Sequence, residues 1–162
     1  MNSVTPASAK VEVFAVFCDD IRHEIGNKAS LIGIYNGDLL ASELPIFMPR
    51  LGIMFQLRTP LDFELSNVTY RVSLGDEVIV QVDIKLETGL GQSRTADSRP
   101  NGQDQTSFRS VVSFLAIPPM TFTSPCTLRA IAVANEVEYM AGKLHVSKVP
   151  AQLKVDVAPE SQ

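Results

Sequence analysis

Apolar and polar positions along this chain alternate in short runs, and turn chemistry separates the runs. Residues 68–74 place Val68, Tyr70, Val72 and Leu74 against Thr69, Arg71 and Ser73. Residues 78–86 place Val78, Val80, Val82, Ile84 and Leu86 against Gln81, Asp83 and Lys85, with Ile79 interrupting the polar side. A period of two is the signature of a strand with one wet face, and Gly75-Asp76 between these runs suits a tight hairpin. Further strand signals lie at 10–18, 28–35, 51–59, 107–117, 126–134 and 137–146, and residues 38–41 extend the second beyond the Asn36-Gly37 turn. Asn135-Glu136 joins the last two runs, and Ala141-Gly142 reads as a bulge. No segment carries the three-to-four residue period of a helix. The pattern predicts an all-β, single-domain antiparallel β-sandwich of immunoglobulin-like, Greek-key type with about seven to nine strands.

Two strands break the one-wet-face rule. Residues 10–18 carry Val11, Val13, Ala15 and Phe17 on one side and Phe14, Val16 and Cys18 on the other. Residues 126–134 set Ile131 and Val133 against Leu128, Ala130, Ala132 and Ala134. A strand apolar on both faces is covered on both sides. The cover is either the chain's own arm and connections or another subunit. Residues 19–27 read as a polar excursion ending in the Gly26-Asn27 turn.

Two connections are apolar yet fenced by prolines. Leu44 precedes Pro45; Ile46, Phe47 and Met48 sit between Pro45 and Pro49; and Met120 and Phe122 follow Pro118-Pro119. Proline lacks a ladder donor, so neither segment is a central strand. These six side chains are candidate partner contacts, because exposed apolar stretches mark interfaces. Their other reading is packing over the open end of the sandwich. Residues 87–106 form a long polar loop whose single large apolar side chain is Leu90. Loops of such length are commonly functional, so Leu90, Arg94 and Arg99 join the candidate contacts. The organisation is then an arm (1–9), a sandwich domain (10–157) and a polar tail (158–162).

Composition narrows the function. The chain has 162 residues, 45% hydrophobic and 20% charged, and a net charge of −4. That length buries a core without staples. An acidic chain with no basic cluster is a poor ligand for nucleic acid or an anionic membrane. The first residues lack a signal-peptide pattern and no apolar run reaches a membrane span, so cytoplasmic residence is expected. Cys18 and Cys126, the two cysteines, read as reduced core residues before they read as a bridge.

Candidate chemistry is thin. Asp19, Asp20 and Asp38 offer carboxylates for a hard cation at one end of the sandwich, although Asp also satisfies backbone donors at turns and strand ends. Asp20 and Arg22 suit an ion pair. Cys18 and His23 resemble a nucleophile and base only in residue type, since a catalytic thiolate needs a polar, partly exposed site. His23 and His145 are too few for a histidine metal site. Nucleophile-elbow, P-loop and zinc-protease motifs are missing, and Gly89-Leu90-Gly91 lacks the strand–helix setting of a dinucleotide loop. No catalytic, cofactor-binding or metal residue is assigned.

One longer pattern stands out: Phe17-Cys18-Asp19-Asp20-Ile21-Arg22, then Lys28, Ser30-Leu31-Ile32-Gly33, Tyr35 and Gly37-Asp38, then Pro49 and Arg58-Thr59-Pro60. It resembles an uncharacterised family of small bacterial and phage-encoded proteins. The resemblance implies a prokaryotic or phage origin and no activity, so no site residue is carried over. The expectation is a non-enzymatic protein-binding or assembly module, cytoplasmic or part of a virion, whose partner is its own copies or a phage or host protein. The alternative is a metal-dependent ligand binder or enzyme using Asp19, Asp20, Asp38 and His23.

Overall fold

The computed structural model of the chain describes residues 10–26, 28–85 and 108–150. Every regular element among them is a strand: β1 (Glu12–Glu24), β2 (Lys28–Ile34), β3 (Asp38–Ala41), β4 (Ile46–Met48), β5 (Leu51–Pro60), β6 (Asn67–Leu74), β7 (Glu77–Lys85), β8 (Phe108–Ile117), β9 (Met120–Phe122), β10 (Cys126–Ala134) and β11 (Val137–Lys148). The 1–9 arm, the 87–106 loop and the tail from 151 lie outside the described residues.

The strands form a four-stranded sheet in the order β2-β1-β5-β8, a five-stranded sheet in the order β3-β11-β10-β6-β7, and a ribbon of β4 with β9. All pairs are antiparallel except β3 with β11. β5 and β8 pair in one sheet while the β6–β7 hairpin between them lies in the other. β10 then sits between β6 and β11. This is the B–E and C–F–G arrangement of an immunoglobulin-like sandwich.

The core follows from the alternation. Leu51, Ile53, Phe55 and Leu57 of β5 meet Val68, Tyr70 and Val72 of β6 and Leu128, Ala130 and Ala132 of β10 in one buried cluster. Phe55 stacks on Tyr70 with ring centroids 4.7 Å apart. The buried Tyr70 hydroxyl donates to the Val111 carbonyl at 3.1 Å, so its polar end is satisfied across the sandwich. Small residues let the sheets close: a side-chain carbon at Gly142 of β11 would lie 3.2 Å from the Ala15 carbonyl oxygen of β1. The Asn135-Glu136 turn has positive φ at both residues (47° and 69°), the type I′ geometry that matches strand twist. The Asn135 side chain also accepts from the Ser66 amide at 3.1 Å and holds the segment before β6.

Three expectations need correction. Among the described residues there are eleven strands, more than the pattern predicts, because β3, β4 and β9 are short and the two proline-fenced connections pair with each other. The polar excursion is no loop: β1 runs on to Glu24 and pairs with β2 to the turn. Its residues are polar because this part of β1 no longer lies over the core. On β7, Ile79 is the extra residue of a bulge opposite Val72 and Ser73, which turns Val78 outward (48% exposed). The bulge at Ala141 stands as expected, opposite Ala130 and Ile131.

Candidate functional site

Three cross-strand rows build the outer face of the four-stranded sheet. Phe14, Gln56 and Val112 form one row, Val16, Met54 and Phe114 the next, and Cys18, Gly52 and Ala116 the third. Ile34 pairs with Cys18 and Ile32 with Asp20 on the β2 edge. Apolar side chains dominate: Phe14, Ile32, Ile34 and Val112 are each more than a third exposed. The five-stranded sheet differs. Its outer face carries Ile131, Val133 and Met140 but breaks them up with an Arg71–Glu138 ion pair, a Thr69–Asp83 hydrogen bond (2.6 Å) and a Thr127–His145 hydrogen bond (2.9 Å).

Charges sit at both ends of the apolar rows and pair among themselves. At one end Arg58 binds Glu12 at 3.2 Å and lies 4.9 Å over the Phe108 ring. At the other, Asp20 binds Arg50 at 2.8 Å and Arg22 at 3.6 Å. The Arg50 hydrogen bond holds the Asp20 carboxyl below its usual range.

Beyond Cys18, β1 leaves β5 and continues only with β2. The two strands make an arm that folds over the third row. Ile21 occupies the space over Gly52, where an added Cβ would lie 2.8 Å from its Cγ1. His23 meets Phe114 edge-on, with ring centroids 5.5 Å apart. Ser30 donates to Glu24, and Tyr35 donates to Asp19. Because Gly52 and Ala116 are small, a pocket of about 330 Å³ remains, bounded by Asp20, His23, Arg50 and Phe114. At the tip, Ile25 is 96% exposed, the most exposed large apolar side chain among the described residues.

The expected chemistry disperses. Asp19 accepts from Tyr35, Asp20 is held by two arginines, and Asp38 lies on β3 of the other sheet beside His145. Among the described residues no three His, Cys, Asp or Glu side chains come together for a metal ion. Cys18 is fully buried beneath the arm; burial, with Asp19 and Asp20 nearby, pushes its thiol up, opposite to what a nucleophile needs. Both cysteines are free thiols.

The proline-fenced segments pair Ile46 with Phe122, Phe47 with Thr121 and Met48 with Met120. Phe122 is a core residue at 2% exposure, and Leu44, Ile46, Met48 and Met120 pack half-buried against the core. Pairing turns their shared apolar side inward, which leaves Phe47 (60% exposed) as the outward one of the six. Leu90, Arg94 and Arg99 fall outside the described residues. Outside the sequence-based candidates, the structure exposes Phe14, Val112 and Ile25, with Phe114 half-buried beside them. The two-sided character of residues 10–18 signalled the first; Val112, Phe114 and Ala116 carry a matching out-of-phase pattern in residues 107–117.

Two comparisons bear on the chain. The model of a family of unknown function (DUF6941) matches residues 13–147, nearly all of the sandwich. Among curated proteins no match is found.

Proposed function

This chain belongs to the DUF6941 family, whose function is unknown, and we propose that it is a non-enzymatic assembly module whose contact surface is the outer face of the four-stranded sheet. The observation that carries the reading is the contrast between the two outer faces: on one, polar contacts are confined to its two ends and a Gln56–Ser110 hydrogen bond of 2.8 Å, while on the other they interleave with the apolar side chains. Contiguous exposed apolar surface marks an interaction site in a soluble fold. The occupant we assign is a second copy of the chain. The face's charges are neutralised within it, as Glu12–Arg58 and Asp20–Arg50, so it meets itself without a like-charge cost. A setting in a virion or as a phage accessory protein rests on the sequence resemblance alone.

A second reading, a ligand-binding end built on Asp20 and His23, has the pocket in its favour. It ranks below the first because the Asp20 carboxylate already has two arginine partners.

Light scattering across a concentration series tests the first reading. The expected result is a defined dimer that Val112→Glu converts to a monomer. Val112 is 45% exposed, so the charge is tolerated in the isolated chain. A wild-type monomer at every concentration, or an unchanged mass for the variant, overturns the reading.

A further inference from the structure

A single exposed isoleucine needs no explanation. Ile25 acquires one from its position. It stands at the tip of the arm whose base roofs the pocket, and it has no contact with the core. Turn positions favour Gly, Asn, Asp and Ser, so an isoleucine there does not serve the turn. The arm cannot bring Ile25 into its own pocket, because Ile21 and His23 of the same strand already line it. A strand advances about 3.3 Å per residue, which carries Ile25 on the order of 13 Å beyond Ile21 and off the edge of its own sheet.

We propose that two copies of the chain exchange β1–β2 arms, the Ile25 side chain of each seating in the other's pocket over Ala116, beside the Ile21 that covers Gly52. The inference rests on the reading of the outer face as a self-contact and names how that contact is locked. The pocket suits a branched aliphatic side chain: its floor is Ala116 and the Phe114 ring, Ile21 and His23 wall it, and its rim is the Asp20–Arg50 pair. The arm tip presents the complementary pair, Glu24 and Lys28, 4.0 Å apart on either side of Ile25. Seating the tip sets Glu24 against the partner's Arg50 and Lys28 against the partner's Asp20. A reciprocal exchange of this kind is isologous and closes at two copies, with no free arm left to propagate a fibre.

The test is light scattering on Ile25→Ser, on Ala116→Leu and on their equimolar mixture, beside wild type and Val112→Glu. Ile25→Ser removes the knob and leaves the pocket. Ala116→Leu fills the pocket and leaves the knob; Ala116 faces outward, so the core is untouched. Each variant alone is expected to weaken dimerisation at least tenfold while still unfolding cooperatively as a folded monomer. The mixture is expected to recover part of the affinity, since one intact arm then finds one intact pocket. Wild-type dimerisation by either variant, or no recovery in the mixture, overturns the exchange; if Val112→Glu still disrupts the dimer, the outer-face reading survives. A wild-type chain that stays monomeric overturns both.

Discussion

Gly52→Ala tests how the arm is held. Gly52 lies on β5 with ordinary strand φ, so alanine there meets no backbone penalty and gains about 0.4–1 kcal/mol by stiffening the unfolded chain. Against this, the new methyl would sit 2.8 Å from Ile21 Cγ1, 2.9 Å from Ile21 Cδ1 and 3.1 Å from Cys18 Sγ. Overpacking of that kind costs about 1–3 kcal/mol. The net expectation is a loss of about 1–2 kcal/mol in urea unfolding, or roughly 2–8 °C in Tm for a chain of this size. Ile21→Ala removes both close carbons. In that background the same Gly52→Ala change is expected to be neutral or stabilising by up to about 1 kcal/mol, leaving only the Cys18 contact to relax by a few tenths of an ångström. The double-mutant cycle therefore carries a coupling of about 1–3 kcal/mol. An equal cost of Gly52→Ala in the two backgrounds would refute the idea that Ile21 packing is what requires glycine at this position.

Two further outcomes follow from buried polar groups. Thr59 is fully buried and its hydroxyl has no partner among the described residues; Thr59→Val keeps the shape, removes that oxygen and is expected to raise stability by about 1 kcal/mol in the same unfolding assay, a loss of stability counting against it. Burial pushes the Tyr70 phenol above its usual pKa, and burial with the Asp19 hydrogen bond does the same for Tyr35. A phenol whose folded pKa lies above its unfolded value contributes stability below the unfolded value, near pH 10, and loses it as pH climbs. Unfolding free energy is thus expected to fall above about pH 10, and Tyr70→Phe, at a cost of about 1 kcal/mol at pH 7 from the lost Val111 bond, is expected to flatten part of that fall.

The parts of the fold legible in the sequence are those where one local rule decides. β6 shows its faces by strict alternation, and β10 shows its inward side through Leu128, Ala130, Ala132 and Ala134. The turns at Gly75 and Asn135 follow from residues that accept positive φ. The arm was not legible, because Asp19–Glu24 is polar whether it is a loop or a strand clear of the core. Only the pairing Asp20 with Ile32, Ile21 with Leu31 and Arg22 with Ser30 distinguishes the two. The inward side of β4 was equally hidden: proline spacing shows that Ile46–Met48 is a connection, while its partner Met120–Phe122 lies far along the chain. The outer face was half legible. Phe14 and Val16 announced that β1 needs cover, but the pocket depends on Gly52 and Ala116 meeting in one row, a coincidence of register between β5 and β8.

The parallel pairing of β3 with β11 sets a schedule for the nascent chain. His145 and Asp38 pair across about a hundred residues, a separation that slows folding because loop closure precedes any reward from contact. During synthesis β1, β2 and β5 leave the ribosome ahead of β6, β7, β10 and β11, so three strands of the first sheet are available to pair while most of the second is still unmade. Both faces of the first sheet are then bare at once, the one destined for the core and the one left apolar in the finished molecule. Closure on the scale of milliseconds to seconds after release gives chaperones and neighbouring nascent copies a window that the folded chain no longer offers.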